Sequence, residues 1–242
     1  MPGQAPSMPV LPARPGGGLV PLEAHAGLGW ILVIATLACV GFWVPPAEKE
    51  IGESYLIFFF HFPSAINCLN FFFFAGVASA YYLIRRTPGS DLWAASGVEV
   101  GMLACTITLV TGSIWARAAW GIFWDMADPR LMTVAIMWLT YAGYLALRAS
   151  LDEPEKRSRF SAVFGVVAAV NLPIVYFSIQ WFGKAHHPMQ VTMDEKPMII
   201  TRWFGAGAFF ILYTAFWRMR YRVLAASREA SALEDALSRA GA

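Results

Sequence analysis

The stretch "LGWILVIATLACVGFWV", residues 28–44, carries no charged side chain and a single hydroxyl. Its apolar residues neither alternate, as on a half-buried strand, nor form the stripe of an amphipathic helix. They cover every face, which is the pattern of a helix surrounded by lipid or by other apolar helices. One such run would be ambiguous, but here the pattern recurs. Crossing the hydrocarbon core takes about 20 predominantly apolar residues. The spans expected on that basis are Leu28–Val44, Tyr55–Ile84, Leu92–Trp115, Leu131–Leu147, Ala162–Phe182 and Met198–Trp217. The expected fold is all-α: a polytopic membrane protein, a bundle of six transmembrane helices with both termini cytoplasmic. Residues 27–217 form the membrane domain, residues 1–26 a disordered tail and residues 218–242 a cytoplasmic helix.

The composition of the 242 residues agrees with this reading. The chain is 57% hydrophobic and 14% charged, against about 25% charged in soluble domains, and its mean hydropathy is +0.52. The net charge of +2 and the lack of a basic run argue against nucleic acid as a partner. Cys39, Cys68 and Cys105 lie inside apolar blocks and form no CxxC pair, so packing is their expected role. The Pro- and Gly-rich start has neither the basic leader nor the small-residue cleavage site of a signal peptide, and the first span is expected to be retained. Pro63 and Pro173 fall inside spans, where they are tolerated and tend to kink the helix.

Orientation follows from the basic residues in the connections. Twelve of the eighteen Lys and Arg lie in the amino-terminal tail, the second and fourth connections and the carboxyl-terminal tail. That set is expected to be cytoplasmic, which sends connections one, three and five to the exported side.

Connection three is unusual. In "RAAWGIFWDMADPRLMT", residues 117–133, Trp120, Phe123 and Trp124 crowd together beside Arg117, Asp125, Asp128 and Arg130. An aromatic belt at the membrane surface would explain the rings, but it leaves the interleaved Asp, Pro and Arg unexplained. His61 lies at the exported end of the second span, and His186 and His187 lie in connection five. Histidines thus flank the aromatic loop on the same face, whereas His25 precedes the first span and takes no evident role. A polar group at the membrane edge is a functional candidate by default. Two neutral imidazoles with an aromatic floor suit a planar metal macrocycle, namely haem b held without a covalent bond. Its iron takes axial His ligands, and Arg117 and Arg130 could pair with its propionates. Glu99, well inside a span, is expected to pair with a neighbouring helix, and Asn67, Asn70 and Asn171 to bond between helices. With no phosphate-binding glycine loop and no catalytic-triad spacing, an enzyme is not expected.

The segment "VTGSIWARAAWGIFWDMADPRL" (Val110–Leu131) resembles the tryptophan-rich WWD segment of the haem-handling membrane proteins of cytochrome c maturation. "GESYLIFFFHFPSA" (Gly52–Ala65) is similar to that family's segment around its first exported histidine, and "YFSIQWFGKAHHP" (Tyr176–Pro188) to the one leading to its second. Six spans fit the short, haem-exporting branch of the family. The resemblance implies His61 and His186 as axial ligands of the haem iron, with His187 an alternative to His186. It also implies Trp115, Trp120, Gly121, Phe123, Trp124, Asp128, Arg130 and Leu131 as the aromatic platform. This chain departs from the family pattern at Asp125-Met126-Ala127, which adds a residue and lacks a tryptophan; Met126 would stand in for the missing ring.

The resemblance further implies presentation of haem on the periplasmic face of the bacterial inner membrane. Its partners would be a periplasmic haem chaperone (CcmE-like), the subunits of an ATP-binding cassette transporter (CcmA- and CcmB-like) and a small single-span helper (CcmD-like). ATP hydrolysis would occur in a partner. The rival readings are a b-type electron-transfer subunit, which would hold haem between histidines inside its spans, and a permease for another substrate.

Overall fold

A computed structural model describes residues 21–44, 52–183 and 195–240. Among them the chain forms seven helices: α1 (Leu22–Phe42), α2 (Phe58–Arg85), α3 (Pro88–Trp120), α4 (Pro129–Ala149), α5 (Pro154–Ala169), α6 (Asn171–Phe182) and α7 (Lys196–Ala240). A 3₁₀ segment at Gly52–Ile57 leads into α2. Six helical stretches are long and apolar enough to cross a membrane, and α5 and α6 together make the fifth. The chain is a multi-pass, all-α membrane protein.

Local chemistry sets the helix ends. Pro88, Pro129 and Pro154 each open a helix at the first position, where the missing N–H costs nothing and the ring pre-sets the backbone. Pro173 acts differently. Without an N–H it cannot bond the carbonyl four residues back, and the fifth span breaks there: Val170 N–H bonds Val167 O in a tighter turn between α5 and α6. The first helix begins at Leu22, so it takes in His25 and the last residues of the expected tail. The helix of the last span does not stop at Trp217 but runs on into the residues expected as a cytoplasmic helix. α7 continues as one helix of 45 residues, about 67 Å at 1.5 Å per residue, and beyond Tyr221 it is largely exposed.

In lipid, apolar surface alone does not drive helices together, so close packing and polar links must. α2 is the hub, packing on α3, α5 and α7, and α3 is its most extensive partner. Small residues allow that seam to close. A Cβ at Gly101 would stand 2.6 Å from the Phe72 ring. Phe72 is itself stacked on Tyr141 of α4 with centroids 3.7 Å apart and planes 1° apart. Met137, Tyr141 and Tyr144 of α4 are fully buried against this core.

Polar links finish the assembly. Asn67, buried in α2, donates to Pro63 O (2.8 Å) and to Ala206 O of α7 (3.2 Å), the interhelical role expected of it. Glu99 of α3 pairs with Arg220, one turn past the expected end of the last span. Asp91 of α3 holds Arg148 of α4 with two hydrogen bonds. His25 is a bridge between α1 and α7: its Nε2 lies 3.1 Å from Thr214 Oγ1, and Arg218 bonds its Nδ1 at 2.7 Å. Apart from Asn67, these links gather toward the end of the bundle where α2 finishes and α3 begins. The other end is aromatic.

Candidate functional site

The aromatic end is formed where α1, α3 and α6 finish and where α2, α4 and α7 begin. His61 stands in the first turn of α2, partly buried. Tyr55 and Leu56 of the preceding 3₁₀ turn pack with Val40, Val44, Phe59 and Met198, which seats the start of α2 against α1 and α7. The imidazole points at α3: Nδ1 lies 3.2 Å from Thr111 Oγ1. Gly112 lies directly against the ring, so close that a Cβ there would be 2.9 Å from His61 Cε1. One helical turn further along α3, on the same face as Thr111, comes Trp115. Its ring meets that of Trp120 edge-on, centroids 5.1 Å apart at 79°.

The loop that follows is built by short-range bonds. Gly121 takes φ +78° and ends α3, its N–H bonding Arg117 O at 3.1 Å. That left-handed backbone favours glycine over any residue with a side chain. Arg117 turns back onto the loop: its guanidinium donates to Gly121 O and lies 5.6 Å from the centre of the Phe123 ring. Phe123 itself is exposed and Trp124 half-buried.

The departure at residues 125–127 is a turn. Asp125 O accepts Asp128 N–H at 3.2 Å, and the Asp125 carboxylate accepts Ala127 N–H at 2.8 Å. An aspartate at the first position of a turn does this through its own side chain. Met126 therefore sits at the turn's tip, 74% exposed. Asp128, fully buried, is the N-cap of α4: one carboxylate oxygen accepts Arg130 N–H at 3.0 Å and Leu131 N–H at 3.1 Å. Its observed work is to fix where α4 starts, and so where Arg130 leaves the loop. Leu131 is buried behind it.

The structure thus brings His61, Trp115, Arg117, Trp120, Gly121, Phe123, Trp124, Asp128 and Arg130 to one end of the bundle. His186 and His187 lie outside the described residues. The helix that leads toward them, α6, carries Tyr176, Phe177 and Trp181, the last two stacked with centroids 5.4 Å apart. Three residues at this end were not singled out for the site from the sequence. Thr111 and Gly112 stand in the quoted "VTG", but no spacing rule says that they meet a residue 50 positions earlier. Arg202 entered only the charge count, yet its guanidinium lies 5.4 Å from the Phe62 ring centre and 5.1 Å from that of Trp203.

Among the described residues no group of three or more His, Cys, Asp or Glu is placed to hold a bare metal ion. What the end offers a ligand is one positioned imidazole, large rings and guanidinium groups. That chemistry suits a flat, aromatic, anionic metal complex better than a hydrated cation.

The family model described as "CcmC: Heme exporter protein C" matches residues 19–238. The chain is 33% identical to "Heme exporter protein C" of Bradyrhizobium diazoefficiens (strain USDA 110) over 173 residues, which cover 69% of this chain and 65%, just under two thirds, of that protein. It is 29% identical to the "Putative cytochrome c biosynthesis ccmC-like mitochondrial protein" of Marchantia polymorpha over 78% of this chain and 84% of that one. Identity to "Heme exporter protein C" of Escherichia coli (strain K12) is also 29%, over 85% and 88% of the two chains.

Proposed function

The chain belongs to the Heme exporter protein C family, a transport family of cytochrome c maturation, and from that premise we propose that its aromatic end presents haem on the exported side of the membrane. In the bacterial inner membrane that side is the periplasm. There the haem is passed to a haem chaperone of the CcmE type. The chain is a transport subunit rather than an enzyme, and its general partners are haem and an exporter of the ATP-binding cassette class. In this reading those partners are CcmA- and CcmB-like subunits, which hydrolyse ATP, and a CcmD-like single-span helper.

One observation carries the reading. His61 is held by α3 one turn below Trp115, at the end of the bundle where the aromatic loop closes. The haem iron takes His61 on one side and His186 on the other, with His187 the alternative on that side. Trp115, Trp120, Phe123 and Trp124 supply apolar contact to the macrocycle. Arg130 meets a propionate; Arg117, bonded to Gly121 O and lying over Phe123, stiffens the loop and adds positive charge. No covalent bond forms, so the cargo, haem b, can leave when a competing ligand arrives. The excess of Lys and Arg at the opposite end supports placing the aromatic end outside.

The test is spectroscopic. Protein purified in detergent carries non-covalent haem with a low-spin, bis-histidine spectrum, and His61→Ala and His186→Ala each lose or alter it. An unchanged spectrum in both variants removes the ligand assignment; wild-type protein that cannot be loaded with haem removes the site.

A further inference from the structure

We infer that Thr111 is a positioning residue which selects the tautomer of His61, so that Nε2 carries the lone pair offered to the haem iron; this rests on the ligand reading above. The reasoning begins with a single proton. A threonine hydroxyl has one hydrogen to donate and two lone pairs to accept with. Thr111 Oγ1 lies 2.6 Å from Ile107 O on its own helix, and a carbonyl can only accept, so the hydroxyl proton is committed there. Toward His61 Nδ1, at 3.2 Å, Thr111 can therefore only accept. Nδ1 must then carry the imidazole proton, and in a neutral ring that leaves the lone pair on Nε2.

Gly112 completes the arrangement. A side chain at this position would begin 2.9 Å from Cε1 and 3.4 Å from Nδ1, pushing the ring off Thr111. The absence of a Cβ thus admits the same ring edge that Thr111 bonds, and two adjacent residues of α3 fix its tautomer and its place. Metal-bound histidines almost always donate their second ring N–H to an oxygen. That bond orients the ring and raises the basicity of the ligating nitrogen, and its loss typically costs 10- to 100-fold in affinity.

The experiment uses the full chain in detergent, titrated with ferric haem. Thr111→Val keeps the shape and removes the acceptor: haem affinity falls roughly 10- to 100-fold, the ferric spectrum gains a high-spin component, and the midpoint potential rises because the ligand is a weaker donor. Thr111→Ser restores the hydroxyl and with it wild-type affinity, spectrum and potential. Thr111→Ala matches Thr111→Val. The inference is overturned if Thr111→Val behaves as wild type while His61→Ala loses haem. It is equally overturned if Val is impaired and Ala is not, because the defect is then steric. If His61→Ala leaves the spectrum untouched, the ligand reading itself has failed and Thr111 falls with it.

Discussion

Asp91 and Arg148 face each other across α3 and α4 in a two-pronged pair, Oδ1–Nη1 2.7 Å and Oδ2–Nη2 2.8 Å. The carboxylate is 3% exposed and the guanidinium 16%. Burying either charge alone is costly, and each is tolerated because the other is there.

Removing one partner is therefore worse than removing both. Asp91→Ala leaves a buried guanidinium uncompensated and costs about 3–5 kcal/mol. Replacing the pair together, Asp91→Leu with Arg148→Met, costs much less than either single change. Thermal unfolding in detergent of the two singles and the double checks this; a double mutant as unstable as the sum of the singles contradicts it.

The α2–α3 seam makes a second prediction. Gly101→Ala puts a methyl 2.6 Å from a Phe72 ring that is clamped on Tyr141. Overpacking of this kind costs about 1–3 kcal/mol. Adding Phe72→Leu gives the methyl room, so the double mutant is less damaged than the two single effects added together. Melting temperatures of the three variants measure the coupling.

Asp128 is tested as a cap. Asp128→Ala removes the acceptor for two N–H groups of α4 and costs about 0.5–2 kcal/mol. Asp128→Asn keeps an acceptor oxygen and most of that stability. Should Asn and Ala instead be equally stable but equally unable to take up haem, the negative charge of Asp128 matters to the cargo directly.

Met126 provides a contrast. At the tip of the Asp125–Asp128 turn it touches little, so Met126→Ser leaves both stability and the haem spectrum unchanged. A shifted spectrum would instead make Met126 part of the platform, in the place of the missing ring.

Much of the architecture is legible in the chain itself, because apolar blocks long enough to cross lipid have few other uses. The helix ends were harder. α7 outruns Trp217 because Arg, Ala, Leu and Glu past that point are polar in sum yet good helix formers, so hydropathy marks the membrane boundary and not the helix end. The cap at Asp128-Pro129 follows a readable pattern. The partner of Glu99, 121 residues away, does not: both side chains can be seen in the sequence, but their meeting depends on how three helices pack. The same holds for His61 and Thr111. The aromatic loop is legible as a site, while its inner bonds are not: nothing in the spacing shows Arg117 bonding Gly121 O. His186, the expected second ligand, lies outside the described residues.

The break at Pro173 makes two of the helices that reach the aromatic end mechanically unequal. His61 rides on a 28-residue helix that continues through its own proline, Pro63, and packs along the most extensive seam of the bundle. α6, by contrast, is twelve residues long and is parted from α5 at the Val170 turn. Amide exchange will accordingly run faster along Asn171–Phe182 than along the stretch of α2 that packs on α3.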